Sequence, residues 1–175
     1  MMLSTKQSGV LKGMLLAMVT SIGGITAAII YDPFQYAGLN VLSERLTVLG
    51  LALILPTLLL IVSVGRLAKF RFFSPDDIDG SGLTPGSHDA VMLQSLLQNT
   101  LEQCVIAFAV YTAWVLLMPS NWLSVVPLCS ILFAVGRIGF FVGYRRGAPA
   151  RAFGFALTFY STVVMFLVLL GYQLA

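Results

Sequence analysis

Apolar residues in this chain come in long, nearly uncharged runs, and the polar positions collect between them. A helix rises about 1.5 Å per residue, so about 20 apolar residues cross a hydrocarbon core about 30 Å thick. Five stretches meet that length: Gly13 to Tyr31, Leu46 to Gly65, Ala90 to Met118, Trp122 to about Tyr144, and Ala152 to Ala175. The third is broken only by Glu102, the fourth contains Arg137, and the other three carry no charge. Backbone groups in lipid must be satisfied within their own segment, so each run is predicted to be a helix. Asp32-Pro33 ends the first run, and Met118-Pro119-Ser120-Asn121 forms a tight turn between the third and fourth. The longest loop, from about Phe72 to Asp89, is rich in Pro, Gly and acidic residues.

Composition strengthens this picture. Of 175 residues 58% are hydrophobic and only 10% charged, against roughly a quarter charged in soluble domains. With a mean hydropathy of +0.94, the natural solvent is a bilayer. A free cytosolic enzyme, a disordered linker and a disulfide scaffold are excluded, and the expected fold class is an all-α integral membrane helical bundle. The net charge of +3 is too small and too scattered for a nucleic-acid footprint.

Cys104 and Cys129 lie inside apolar runs and His88 is the single histidine, so no metal-ligand cluster is expected and both cysteines read as packing residues. Asp77-Ile78-Asp79-Gly80-Ser81-Gly82 matches the first half of an EF-hand loop, but its twelfth position is His88 instead of a bidentate Glu. It reads as a turn. Ser87 or Asp89 is the expected cap of the third helix. The first run has a basic flank, Lys6 and Lys12, but is longer than a signal-peptide core and lacks an A-x-A site, so a retained helix is expected.

Lys6, Lys12, Arg66, Lys69, Arg71, Arg145, Arg146 and Arg151 fall on one side of a five-helix arrangement, and the other side holds Arg45. The positive-inside rule then places the N-terminus inside and the C-terminus outside. A bacterial cytoplasmic membrane and an endoplasmic reticulum membrane satisfy this topology equally.

Ionisable side chains within a span are costly and are functional candidates by default. Glu102 and Arg137 are the two here. The third helix presents Gln94, Ser95, Gln98, Asn99, Glu102 and Gln103, and steps of three and four place Ser95, Asn99 and Glu102 on one face with Gln98 beside them. On the fourth helix Arg137, Phe140 or Phe141, and Tyr144 share a face, and Gly139 and Gly143 form a GxxxG. Two readings stay open. Glu102 and Arg137 form a buried ion pair, with Asn99 as hydrogen-bonding glue, or these residues bind a ligand. The cations Arg66, Lys69, Arg71, Arg145, Arg146 and Arg151 at the boundary favour an anionic ligand, and they also satisfy the positive-inside rule.

Gln98-Asn99-Thr100-Leu101-Glu102, then Arg137-Ile138-Gly139-Phe140-Phe141-Val142-Gly143-Tyr144, then Arg151, resembles the MAPEG family, the membrane-associated proteins in eicosanoid and glutathione metabolism that include the microsomal glutathione transferases. Arg66-Leu67-Ala68-Lys69-Phe70-Arg71-Phe72-Phe73-Ser74-Pro75 is similar to that family's first-helix exit. The likeness spans about Leu46 to Tyr172. It implies a four-helix core over residues 46–175, preceded by an extra transmembrane helix and connector over residues 1–45. It further implies a homotrimer, with glutathione as co-substrate held between subunits. Asn99, Glu102, Arg137, Tyr144 and Gln98 would bind the ligand, and Arg151 would sit beside the thiol as the catalytic residue. A fixed cation there favours the thiolate of a group whose pKa is otherwise about 8.5. The implied activity is glutathione-dependent transfer or peroxide reduction on a hydrophobic substrate, with no metal.

The chain departs from the family pattern at Ser95, where eicosanoid-type members carry an arginine, at Phe140, where many carry a tyrosine, and at Gln103, often aromatic. These departures point to a second reading, a non-catalytic membrane subunit or scaffold. With no internal repeat and no pair of broken helices, a small transporter is disfavoured.

Overall fold

The computed structural model describes residues 3–80 and 82–175. Its helices are α1 (Thr5–Tyr31), α2 (Leu42–Phe72), α3 (His88–Leu117), α4 (Val125–Gly143) and α5 (Ala148–Leu174), with short 3-10 turns at Ser120–Trp122 and Tyr144–Arg146. All five are long and apolar enough to cross a membrane, and no strand occurs among the described residues. The helices outrun the apolar stretches. α2 continues past Gly65 through Arg66, Lys69 and Arg71, because long cationic side chains reach water while their backbone stays helical.

Local sequence explains the helix ends. At α1, the Gln7 backbone N–H donates to Ser4 Oγ (3.3 Å) and the Ser4 N–H donates to Gln7 Oε1 (2.8 Å), a reciprocal capping box. Ser87 caps α3, accepting from the Ala90 N–H at 3.3 Å. The cap is held by Asp77, which is only 1% exposed and accepts from the Ser87 N–H, the Ser87 hydroxyl and the Ser74 hydroxyl, each at 2.7 Å. The Ser87 backbone N–H is the main reason this carboxyl lies below its ordinary value of 3.8. The calcium-like Asp/Gly stretch is thus a turn whose first aspartate anchors a helix start; its Ser81 lies outside the described residues.

In space the helices run α1, α5, α4, α2, α3, with α5 also touching α3. The core is built from Tyr111, Trp114, Met118, Phe133 and Met165. At one end, Gly9 of α1 faces Pro149, and Arg145 Nη2 meets Asp89 Oδ1 at 2.9 Å. The opposite end is tied by Asp32, which accepts from the Ser124 hydroxyl and from the Ala37 N–H (2.8 Å). There too Arg45 donates Nε–H to the Val115 carbonyl at 2.7 Å and Nη2–H to the Met118 carbonyl, satisfying the end of α3.

Two seams of small residues let backbones meet. Gly9, Gly13, Ala17 and Ser21, one every four residues, face α5. A Cβ on Gly9 would lie 3.0 Å from Pro149 Cβ, and one on Gly13 would lie 2.9 Å from the Phe153 nitrogen. Between α4 and α5 the close glycines are Gly136, Gly143 and Gly154. Gly139 is not among them, since a Cβ there would stand 3.6 Å from Gly154 Cα, an ordinary separation. The positions on α4 that a Cβ would block are thus Gly136 and Gly143, two turns apart and on one helix face, while the Gly139 backbone between them lies against Gly154.

Pro56 lies in the middle of α2 and cannot donate to the Ala52 carbonyl. The Ser130 hydroxyl of α4 donates to that carbonyl instead. The Cys104 thiol of α3 donates to the Pro56 carbonyl at 3.4 Å, and Cys129 is packed in the core.

Candidate functional site

The site forms where α3, α4 and α5 converge. Arg137 of α4 is fully buried. Its Nη1–H donates to Asn99 Oδ1 on α3 at 2.7 Å, and its Nε–H donates to Thr158 Oγ1 on α5 at 3.3 Å. The guanidinium lies 4.4 Å over the Phe140 ring, close enough for a cation–π contact. Nη2 is buried with no hydrogen-bond partner. Loss of hydration is thus offset by two hydrogen bonds and a ring face, and one donor is left open.

The ion-pair reading does not hold: no salt bridge joins Glu102 to Arg137 among the described residues. Glu102 is exposed on the outer face of α3, where its Oε1 accepts from Gln98 Nε2 at 3.0 Å. The reason is rotational. A step of three residues turns about 60° short of a full circle, so when Asn99 meets Arg137 at the seam, Glu102 looks outward.

Near the charged end of the bundle, Arg151 of α5 lies 4.3 Å over the Tyr144 ring, and Tyr144 meets Phe140 edge-on at 5.3 Å. Phe141 turns the other way, under Arg66 at 5.7 Å. A cavity of about 390 Å³ opens between these groups, lined by Ser95, Asn99, Phe140, Tyr144 and Arg151, and also by Val10 of α1 and Ala148, Ala152 and Phe155 of α5. Gln98 and Glu102 line a neighbouring groove on α3, which Ser95 and Asn99 share. Asn99, Arg137, Tyr144 and Arg151 are therefore brought together, while Gln98 and Glu102 stand on the adjoining outer face.

Of the positions expected to depart from the family pattern, Ser95 donates its hydroxyl back to the Val91 carbonyl at 2.9 Å, and Phe140 offers a ring face to Arg137. Gln103 is buried with Oε1 unpartnered. Sequence reasoning missed Thr158 and Val10. Thr158 follows Arg151 by two turns on one face of α5, a spacing that could have revealed it. Val10 lies before the apolar run and gave no signal.

Five apolar spanning helices with ionisable groups gathered between three of them define a multi-pass integral membrane protein with a polar site inside its bundle. Residues 46–171 match the model of the MAPEG family, and the chain belongs to that family. No curated protein and no solved structure matches it. The matched region contains α3 and α4 whole and nearly all of α2 and α5, whereas α1 lies before it.

Proposed function

We propose that this protein binds glutathione in the cavity beside Asn99 and Arg151 and transfers it to, or uses it to reduce, a hydrophobic electrophile dissolved in the membrane. The observation that carries this reading is Arg137: a buried guanidinium with one donor unfilled, hydrogen-bonded to a residue that lines the cavity. A buried donor without a partner costs about 1–3 kcal/mol, and more for a charged group, unless a ligand or water supplies the acceptor. A carboxylate of the tripeptide suits it.

Arg151 is the catalytic residue in this proposal. Its fixed charge at the cavity lowers the cost of the thiolate, the thiol proton passing to solvent. In transfer the sulfur bonds to the electrophilic carbon as that carbon's leaving group departs, and in peroxide reduction two glutathiones are oxidised to the disulfide. Tyr144 holds that guanidinium against its ring. Asn99 and Arg137 bind the tripeptide, with Gln98 and Glu102 contributing from the outer face of α3. A carboxylate facing lipid is expensive, so we assign that face to a second copy in a homotrimer, with the ligand between subunits. Residues 1–45 are then an appended helix on a family domain of residues 46–175.

A non-catalytic subunit is the second reading, favoured by Phe140 and by the inward-bonded Ser95 hydroxyl, which together remove two polar contacts. The discriminating experiment is the melting temperature of detergent-solubilised protein against glutathione concentration. Binding stabilises by RT ln(1 + [L]/Kd), about 2.7 kcal/mol at a hundredfold excess over Kd. A saturable rise in the wild type, with turnover lost in Arg151→Ala, supports the transferase. A flat titration to millimolar glutathione refutes it and leaves the scaffold.

A further inference from the structure

The uncharged run of α2 closes at Gly65, and Arg66 and Lys69 follow within about one turn. A helix rises about 1.5 Å per residue, so these two charges step outward from the edge of the hydrocarbon. Arg145 comes to the same place from the end of α4, because all three cations line one groove of about 660 Å³. Phe70, Phe73 and Leu93 line it with them. No residue of this groove lines the cavity beside Asn99 and Arg151.

The chain does not neutralise the charge there. Arg66 and Lys69 form no ion pair among the described residues, and Arg145 gives Nη2 alone to Asp89. Arg66 instead lies over the Phe141 ring at 5.7 Å, which places its guanidinium without cancelling it. The positive-inside rule explains why cations collect at this end of the bundle. It does not require them to converge on one groove, nor that groove to carry aromatic and aliphatic side chains. A membrane lipid divides its chemistry the same way, with an anionic phosphate above and carbon below.

We propose that this groove binds the phosphate of an anionic membrane lipid, held by Arg66, Lys69 and Arg145, with the first carbons of the lipid against Phe70, Phe73 and Leu93. Basic pockets between spans on the cytoplasmic side suit such headgroups. The site does not rest on the glutathione reading.

The test is the melting temperature of the full chain in a non-ionic detergent, titrated with dioctanoyl phosphatidylglycerol, dioctanoyl phosphatidylcholine and inorganic phosphate. A basic group near an anionic surface is worth about fivefold in binding, so the anionic lipid should bind at least about tenfold more tightly than the zwitterionic one. It should also exceed inorganic phosphate by at least about tenfold, since phosphate buries no carbon. Arg66→Gln with Lys69→Gln, both exposed positions, should weaken the anionic lipid at least about tenfold. Lys6→Gln with Lys12→Gln removes the same charge outside the groove and acts only through the screened surface field, so it should change affinity less than about twofold. Equal affinity for the two lipids overturns the site. So does an equal loss in the two double variants, which would reduce the effect to diffuse surface charge. Inorganic phosphate binding as tightly as the anionic lipid overturns the lipid assignment in favour of a soluble phosphate.

Discussion

Gly154→Ala adds one carbon at the tightest crossing in the bundle. The new Cβ would lie 2.6 Å from the Gly136 carbonyl oxygen and 2.8 Å from the Gly139 carbonyl carbon, and it would also strike the Phe140 nitrogen. All three are helix backbone, so none can rotate aside. Ordinary contact begins at 3.4 Å, so α5 must withdraw from α4 by about an ångström. Overpacking a core costs about 1–3 kcal/mol, and backbone neighbours place this substitution near the top of that range. A loss of about 3 kcal/mol is roughly a hundredfold in the unfolding equilibrium. Withdrawal would also stretch the 3.3 Å bond from Arg137 to Thr158, one turn beyond Gly154. The control is Gly171→Ala in the same helix, where no heavy atom lies within 4 Å of the added carbon. There only helix propensity changes, and a gain of at most about 1 kcal/mol is expected. Both are read by circular dichroism during SDS titration of mixed micelles. Gly154→Ala within about 0.5 kcal/mol of wild type would refute the close-crossing argument, since that is the scatter of inconsequential substitutions.

Ser130→Ala should cost about 1–3 kcal/mol by leaving the Ala52 carbonyl bare. Adding Pro56→Ala restores an N–H to that carbonyl, so the double variant should recover much of the loss in the same unfolding assay; strict additivity would count against the repair. Because the Asp77 carboxyl is held below 3.8 by the Ser87 backbone and its other donors, its contribution is whole above that value and is lost as pH falls through the lower folded value. The melting temperature should therefore drop on acidification in this window, less steeply in Asp77→Asn, and equal slopes would contradict the assignment. Arg45→Met removes both donors from the end of α3 and should lower stability by about 1–3 kcal/mol, whereas a neutral result would mean that interfacial water replaces them.

The five spans and their turns were legible because lipid leaves a chain no other way to satisfy its backbone. Asn99, Arg137, Tyr144 and Arg151 could be singled out because polar and cationic side chains in or beside apolar runs are conspicuous. How they meet was not legible. Whether Glu102 or Asn99 faces Arg137 depends on a rotation of α3 by about 60°, and both residues lie on one broad polar stripe. Arg137 is itself held by Thr158 and the Phe140 ring, and it is Asn99 that α3 brings to it. Apolar-run reading likewise placed the first helix at Gly13 and so passed over Gly9 and Val10, although Gly9, Gly13, Ala17 and Ser21 repeat every four residues in plain view.

The proline in α2 also has a consequence for how the chain is made. Ser130 is synthesised 78 residues after Ala52, the carbonyl it completes. Between those moments α2 is in the bilayer with an empty acceptor about a third of the way along it, a defect costing several kcal/mol in hydrocarbon. Nascent α2 is therefore incomplete by itself, and the arrival of α4 supplies the missing bond. Translation halted between the two helices would leave an α2 prone to bending or to drawing in water, so its integrity in the membrane reports on whether the rest of the chain was delivered.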